Sequence, residues 1–293
     1  MALSGVMVAD KPQDWTSHDV VAKLRRLLGE RRIGHGGTLD PMATGVLPVF
    51  VGRATRGAEL CESADKEYLT ALRPGIVTDT QDITGTVLRR TDTRLTREEL
   101  EAALEHFRGK IAQIPPMYSA VKVGGKKLYE LARKGQEVER EARNIEIFSL
   151  TVEDQRDGDY YLRVVCSKGT YIRTLVNDIG EYLSCGAAMS YLRRTRAGSF
   201  TLTDAHTLEE VAEAVEKGEA ERLLTPIDRL FRDLGELTVS AEEEARVRCG
   251  ASFRKDGAEG RYRVYGENGE FLMVGVLENG LLRTEKNFFE VRP

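Results

Sequence analysis

The chain has 293 residues, with 43 Lys and Arg against 47 Asp and Glu for a net charge of −4, 41% hydrophobic and 31% charged residues. That balance excludes bulk disorder and suits one large domain or two. No run of 18 apolar residues exists, and the start MALSGVMVADKP lacks the basic and long apolar regions of a secretory signal, so no membrane partner is expected and a cytoplasmic location is. Cys61, Cys166, Cys185 and Cys249 stand singly and His18, His35, His106 and His206 lack ligand spacing. No metal site is expected, and the thiols read as buried in a reducing compartment.

In chain order, residues 5–9 predict a short strand. Ser17 predicts the cap of a helix whose apolar positions Val20, Val21, Leu24, Leu27 and Leu28 recur with helical spacing before Gly29. A glycine-rich loop follows at 34–41, then a buried strand at 46–51 and a helix at 53–63. Strands are expected at 66–72 and 86–90 around the polar loop TDTQDITG. Thr96 with Glu99 predicts a capping box for a helix to Phe107. A short basic helix is expected at 126–134, ended by Gly135, and a hairpin joins 144–153 to 159–167 across Arg156-Asp157-Gly158. A helix follows at 172–183, and the acidic stretch 204–221 reads as a peripheral helix. After about residue 235 the texture changes. A helix at 241–248 precedes short strands at 261–266, 271–277 and 281–286, with Asn268-Gly269 and Asn279-Gly280 as turns. Helices and strands interleave without a regular β-α-β period, so the fold class expected is mixed α+β, with domains at 1–235 and 236–293, the second small and β-rich.

Charge is segregated along the chain. Lys122, Lys126, Lys127, Arg133 and Lys134 form one basic cluster, Arg193, Arg194 and Arg196 another, and Arg25, Arg26, Arg31 and Arg32 a third. The pattern fits a face that meets phosphates and fits solvated element faces equally well.

The segment that could do chemistry is RRIGHGGTLDP, 31–41. Gly34, Gly36 and Gly37 let the backbone approach a ligand, and Pro41 holds Asp40 extended. One carboxylate is thereby presented from a constrained loop. The pattern is neither G-x-G-x-x-G nor a P-loop, so no nucleotide cofactor is expected. Taken alone, Asp40-Pro41 reads first as a turn. Asp79 and Asp82 likewise read as turn formers, and Ser119 has no histidine partner nearby that would make it a nucleophile.

GHGGTLDPMATGVLPV at 34–49 resembles the signature of the bacterial TruB-type tRNA pseudouridine-55 synthases. The resemblance extends over most of 5–200, through DKPQDWTSHDVV at 10–21, KEY at 66–68, PPMYSAVKVGGKKLYELARKG at 115–135, SKGTYIRTL at 167–175 and YLRRTRAGSF at 191–200. It implies a pseudouridine synthase catalytic domain with a mainly antiparallel sheet and, at 236–293 and more weakly, a PUA-like RNA-binding domain. The implied reaction isomerises one T-loop uridine of tRNA. The bond from C1′ to N1 breaks and the base rejoins through C5, with no cofactor.

By that resemblance Asp40 is the nucleophile or charge stabiliser, Arg173 its cationic partner, and Tyr68 the aromatic that stacks on the base and moves a proton. His35, Tyr171, Leu192 and Lys11 resemble substrate-pocket positions. Lys126, Lys127, Arg193 and Arg194 are expected on the RNA backbone. The expected partner is the tRNA T arm together with the acceptor stem, met by a monomer without guide RNA. A tRNA-folding chaperone on the same scaffold, a guide-dependent synthase and a glycoside hydrolase are the competing readings, and the last lacks a second well-placed carboxylate.

Overall fold

Two sheets organise residues 3–59 and 64–290, which the computed structural model describes. The elements of the first part are β1 (Gly5–Lys11), α1 (Ser17–Leu28), β2 (Ile33–His35), β3 (Thr44–Val51), β4 (Lys66–Pro74), β5 (Ile76–Thr78), β6 (Val87–Arg90), α2 (Arg97–Leu104) and β7 (Gly109–Gln113). Next come β8 (Lys122–Val123), β9 (Lys126–Lys127), α3 (Leu128–Ala132), β10 (Arg143–Arg156), β11 (Asp159–Cys166), α4 (Ile172–Tyr182), β12 (Ala187–Ala197), β13 (Phe200–Thr201), β14 (Ala205–His206) and α5 (Leu208–Glu216). The C-terminal part holds β15 (Gly235–Val239), α6 (Ala241–Arg248), β16 (Phe253–Arg254), β17 (Gly260–Gly266), β18 (Phe271–Glu278) and β19 (Leu281–Asn287).

The larger sheet runs β14-β1-β3-β12-β4-β11-β10-β7, with β2 on β3 and β13 on β12. Most neighbours are antiparallel; β1 with β14 and β12 with β3 are parallel. This is the expected mixed α+β class with a mainly antiparallel sheet. Strand alternation sorts its two faces. Met7, Ala9, Leu47, Val49 and Val51 share one core with Val20 and Leu24 of α1, Leu100 of α2, Leu175 and Ile179 of α4 and Val211 of α5. Val6, Val8, Val46 and Phe50 point the other way, into a second core. β3 is therefore apolar on both faces, which explains its unbroken run GVLPVFV.

That second core is closed by the C-terminal sheet, order β15-β17-β18-β19-β16. Val274 and Phe288 are buried in the same cluster as Val6, Phe50 and Phe231. Phe271 stacks on Phe288 with ring centroids 5.3 Å apart, and Tyr265 donates its hydroxyl to Asp228 Oδ2 at 2.9 Å. The two sheets are joined by an apolar seam with a polar rim.

Several elements differ from their sequence pattern. The cap of α1 is Thr16, whose hydroxyl accepts from the Asp19 amide while the Asp19 carboxylate accepts from the Thr16 amide. The helix expected at 53–63 is a 3-10 segment over Gly52–Gly57, and 60–63 lie outside the described residues. The basic helix expected at 126–134 is split: Gly124 and Gly125, both with positive φ, turn β8 into β9, and only Leu128–Ala132 is helical. The acidic stretch 204–221 contributes helix only over Leu208–Glu216. The central strand β12 has no apolar alternation in LRRTR to announce it.

Candidate active site

The loop between β2 and β3 carries Asp40 and is pinned on both sides of it. Ser17, at the start of α1, accepts from the Leu39 amide at 2.9 Å and donates to the Leu39 carbonyl at 3.3 Å. The Pro41 carbonyl accepts from the Asp14 amide at 2.8 Å and from Lys11 Nζ at 3.0 Å. Leu39 is buried in the main core, while the Asp40 side chain keeps 36% of its surface open. A fixed backbone thus presents a carboxylate that solvent and a ligand can reach.

Arg173 meets it from α4. Its Nε lies 2.8 Å from Asp40 Oδ2 and its Nη2 donates to Asp40 Oδ1 at 3.3 Å, a side-on, two-point ion pair. Nη1 donates to the Thr80 carbonyl at 3.0 Å and Nη2 to the Tyr118 carbonyl at 2.9 Å. The Asp82 carboxylate stands 3.8 Å from Nη1. Arg173 sits in the first turn of α4, where the helix dipole disfavours a cation, and two carboxylates offset that field. Tyr171 caps the same helix. Its amide donates to Gln113 Oε1 at 2.8 Å and its carbonyl accepts from Gln113 Nε2 at 3.1 Å. The buried Gln113 therefore fixes the turn that aims Arg173.

Asp82 is both a turn former and a member of this site. It is buried and accepts from Thr80 Oγ1 at 2.8 Å, the Thr84 amide at 3.0 Å and Thr84 Oγ1 at 2.5 Å. Sequence reasoning stopped at the turn. The signal available was a threonine two residues to either side of the acid. Gln113 carried no such mark.

Tyr68 of β4 lies on the face of the large sheet that Leu39, Leu192 and Ile172 also line. Its register partner on β12 is Arg194, and Leu192 stands opposite Thr70. Burial pushes the Tyr68 phenol up, and the Arg194 guanidinium beside it opposes that; Cys166 and Asp40 are the other titratable neighbours. Burial also pushes the Cys166 thiol up to about 11. Asp40, paired with Arg173, is thus among the charges that Tyr68 feels, Leu192 shares the Tyr68 core cluster, and Tyr171 stands two residues before Arg173 at the start of α4.

The remaining expectations separate. Lys11 is fully buried and donates to the carbonyls of Pro12 at 2.8 Å, Trp15 and Pro41. Burial holds its ammonium down at about 8, against the pull of the Asp40 charge. All three donors are spent, so Lys11 ties the Asp40 loop to the N-terminal loop and has none left for substrate. Arg194, expected on the RNA backbone, is 1% exposed. It donates from Nε to the Val46 carbonyl at 2.7 Å and from Nη2 to the Gly37 carbonyl at 3.2 Å, under the glycine-rich loop. A phosphate cannot reach it. Gly45 sits against the same stretch of β12: a Cβ there would meet the Arg194 carbonyl oxygen at 2.2 Å. Arg193 is half-buried and paired with Asp10 at 2.7 Å, which leaves it a poor phosphate ligand. Lys126 is exposed, and Lys127 lies over the Tyr129 ring at 5.4 Å. His35 ends β2 partly buried, its Nδ1 without a hydrogen-bond partner; burial, then the charges of His18 and Arg194, hold its pKa down. Among the described residues, no group of three or more His, Cys, Asp or Glu could hold a metal ion, and no helix is long and apolar enough to cross a membrane.

Comparison with known proteins gives this geometry a context. A family model described as TruB family pseudouridylate synthase (N terminal domain) matches residues 25–172, and one described as tRNA pseudouridylate synthase B C-terminal domain matches 173–236. The chain is 52% identical over 254 residues to the tRNA pseudouridine synthase B of Symbiobacterium thermophilum, covering 85% of this chain and 83% of that protein. It is 44% identical over 294 residues to that of Ralstonia nicotianae, covering 96% and 93%. Among solved structures, a chain in the crystal structure of a Cbf5-Nop10-Gar1 complex superposes with a TM-score of 0.74 at 26% identity, covering 98% of this chain and 85% of that one.

Proposed function

The chain belongs to the TruB family of pseudouridylate synthases, and from that membership we infer that it isomerises uridine 55 in the T loop of tRNA to pseudouridine. The observation that carries the chemical part of this reading is the two-point Asp40–Arg173 pair in a partly open site, facing Tyr68.

A uridine inside folded RNA must be unstacked before a carboxylate can reach it, at a cost of a few kcal/mol. Asp40 then acts at the glycosidic bond, where the departing sugar develops positive charge, and Arg173 holds the carboxylate aimed through its two-point contact. Tyr68 and Tyr171 supply ring faces for the base, and Leu192 an apolar wall. The Tyr68 oxygen takes the proton from C5 once the base has rejoined the sugar. N1 takes one from solvent, so composition is unchanged. Lys126 and Lys127 meet phosphates, and His35 fills space beside the extruded nucleotide.

The reading takes the enzyme as a monomer. It takes it as independent of a guide RNA, because the relatives at 44–52% identity carry the tRNA-enzyme name. Its place is the cytoplasm, where its substrate is. The chaperone reading is not favoured, since a folding aid has no use for a complete ion-paired carboxylate. Mapping pseudouridine on an unmodified tRNA transcript incubated with purified protein alone tests the assignment. Modification at position 55 is expected, and an unmodified transcript would overturn it.

We further propose that 236–293 form an RNA-binding unit that meets the acceptor stem. Val274 and Phe288 are buried against Val6 and Phe50, so deleting 236–293 strips the cover from one face of the large sheet. The remainder is expected to melt about 5 °C or more below the full chain, and to lose affinity for whole tRNA beyond its loss on an isolated T arm. A remainder that melts like the parent would overturn the structural part, and equal losses on both RNAs the binding part.

A further inference from the structure

We propose that Arg194 is a positioning residue for Tyr68, holding the phenol oxygen with a guanidinium that no carboxylate claims. The inference rests on the proposed proton-transfer role of Tyr68.

Two observations carry it. First, Arg194 heads the fully buried large side chains at 1% exposure, and among the described residues no acid is ion-paired with it. Its hydrogen bonds run to two neutral carbonyls, of Val46 and Gly37. Buried arginines are ordinarily paired, because an uncompensated interior charge is costly. Leaving one unpaired makes sense where a negative charge appears during the reaction. Second, the strand register sets Arg194 directly opposite Tyr68 on the face that the candidate site occupies. Two backbone acceptors leave part of the five-donor guanidinium free for the phenol oxygen.

The charged and titratable groups around the pair have separate duties. Lys11 and His35 feel the Arg194 charge and are cationic or neutral, so neither compensates it. Cys166 is a thiol held protonated by burial. Asp40 faces Tyr68 but is bound at both oxygens by Arg173. Tyr68 is the group left to take up the field of Arg194. When Tyr68 gives up its proton to solvent, negative charge develops on an oxygen buried beside this cation. When the oxygen then takes the C5 proton, the O–H bond re-forms and the C5–H electron pair returns to the ring.

The test is single-turnover pseudouridine formation against pH for R194M, R194K, Y68F and the double variants, with folding followed by thermal melts. R194M is expected to lose rate at neutral pH and to move the acid limb of the profile up by about one pH unit or more. R194K keeps the charge and is expected to hold that limb near the parent's. In the Y68F background either Arg194 substitution is expected to change the rate by less than about twofold, because the effect runs through the phenol. An equal loss with and without Y68F would overturn the proposal and leave Arg194 as a brace for the glycine loop. Should R194M fail to fold, R194Q, which also removes the charge but keeps a hydrogen-bonding end for the loop carbonyls, takes its place in the same comparison. Y68F turning over at the parent rate would instead remove the proton-transfer reading of Tyr68.

Discussion

Asp40→Asn is expected to lower the single-turnover rate of pseudouridine formation by ~10⁴-fold or more while tRNA affinity stays within about threefold of the parent's. The separation follows from how the loop is built. Ser17 grips the Leu39 backbone and Lys11 and Asp14 grip the Pro41 carbonyl, so the turn does not depend on the Asp40 side chain. Asparagine is nearly isosteric and keeps one oxygen for Arg173, but its amide group faces the guanidinium donor to donor. Its nitrogen has no charge to place against a developing oxocarbenium ion. Tritium release from C5-labelled tRNA reads the chemistry and filter binding reads the affinity. Substantial turnover by this variant would sink the assigned role, and a parallel collapse in affinity would show that the carboxylate shapes the pocket as well.

The residues of this site differ in how visible they are before the chain folds. Asp40 announces itself locally, because three glycines and a proline constrain its loop. Arg173 lies 133 positions further on and looks locally like any arginine on a helix; only its resemblance to a known block marked it. Arg194 shows the opposite failure. An Arg-rich run on a strand looks like a surface, because local charge carries no information about which face the sheet will bury. β12 is central, so one side of its alternation goes inside and takes Arg194 with it, while Arg193 points to the face where Asp10 waits. The helix expected at 126–134 fell short at its start, at Lys126 and Lys127, for a different reason. Helical propensity over 126–134 was real, but the Gly124-Gly125 turn pairs them with Lys122 and Val123 first. β1 and β3, by contrast, could be read almost unaided, since a short unbroken apolar run such as GVLPVFV marks a strand buried on both faces. Partners decided by tertiary placement, such as Gln113 with Tyr171, left no trace in spacing at all.

Arg173 is where a conservative substitution should be least conservative. Its guanidinium addresses the two Asp40 oxygens and the carbonyls of Thr80 and Tyr118, with Asp82 at 3.8 Å. Those acceptors lie around a planar fork, and a lysine ammonium at the end of a flexible stem is a single point that cannot span them. Arg173→Lys therefore keeps the charge and loses the aim: the rate constant of the chemical step is expected to fall by roughly 10²-fold or more with little change in apparent tRNA affinity. Arg173→Met removes the charge too. It leaves Asp82 buried without its cation and puts the Asp40 carboxylate at the first turn of α4 without a partner. Loss of rate is expected to approach that of Asp40→Asn, accompanied by a lower melting temperature, since Asp82 loses its nearby cation while the partly open Asp40 is rehydrated. The order of the two substitutions is the discriminating measurement. If lysine restores most of the parent rate, charge alone suffices and the four-point geometry is incidental. If lysine is nearly as poor as methionine in rate but close to the parent in melting temperature, orientation of the carboxylate is what Arg173 contributes to the reaction.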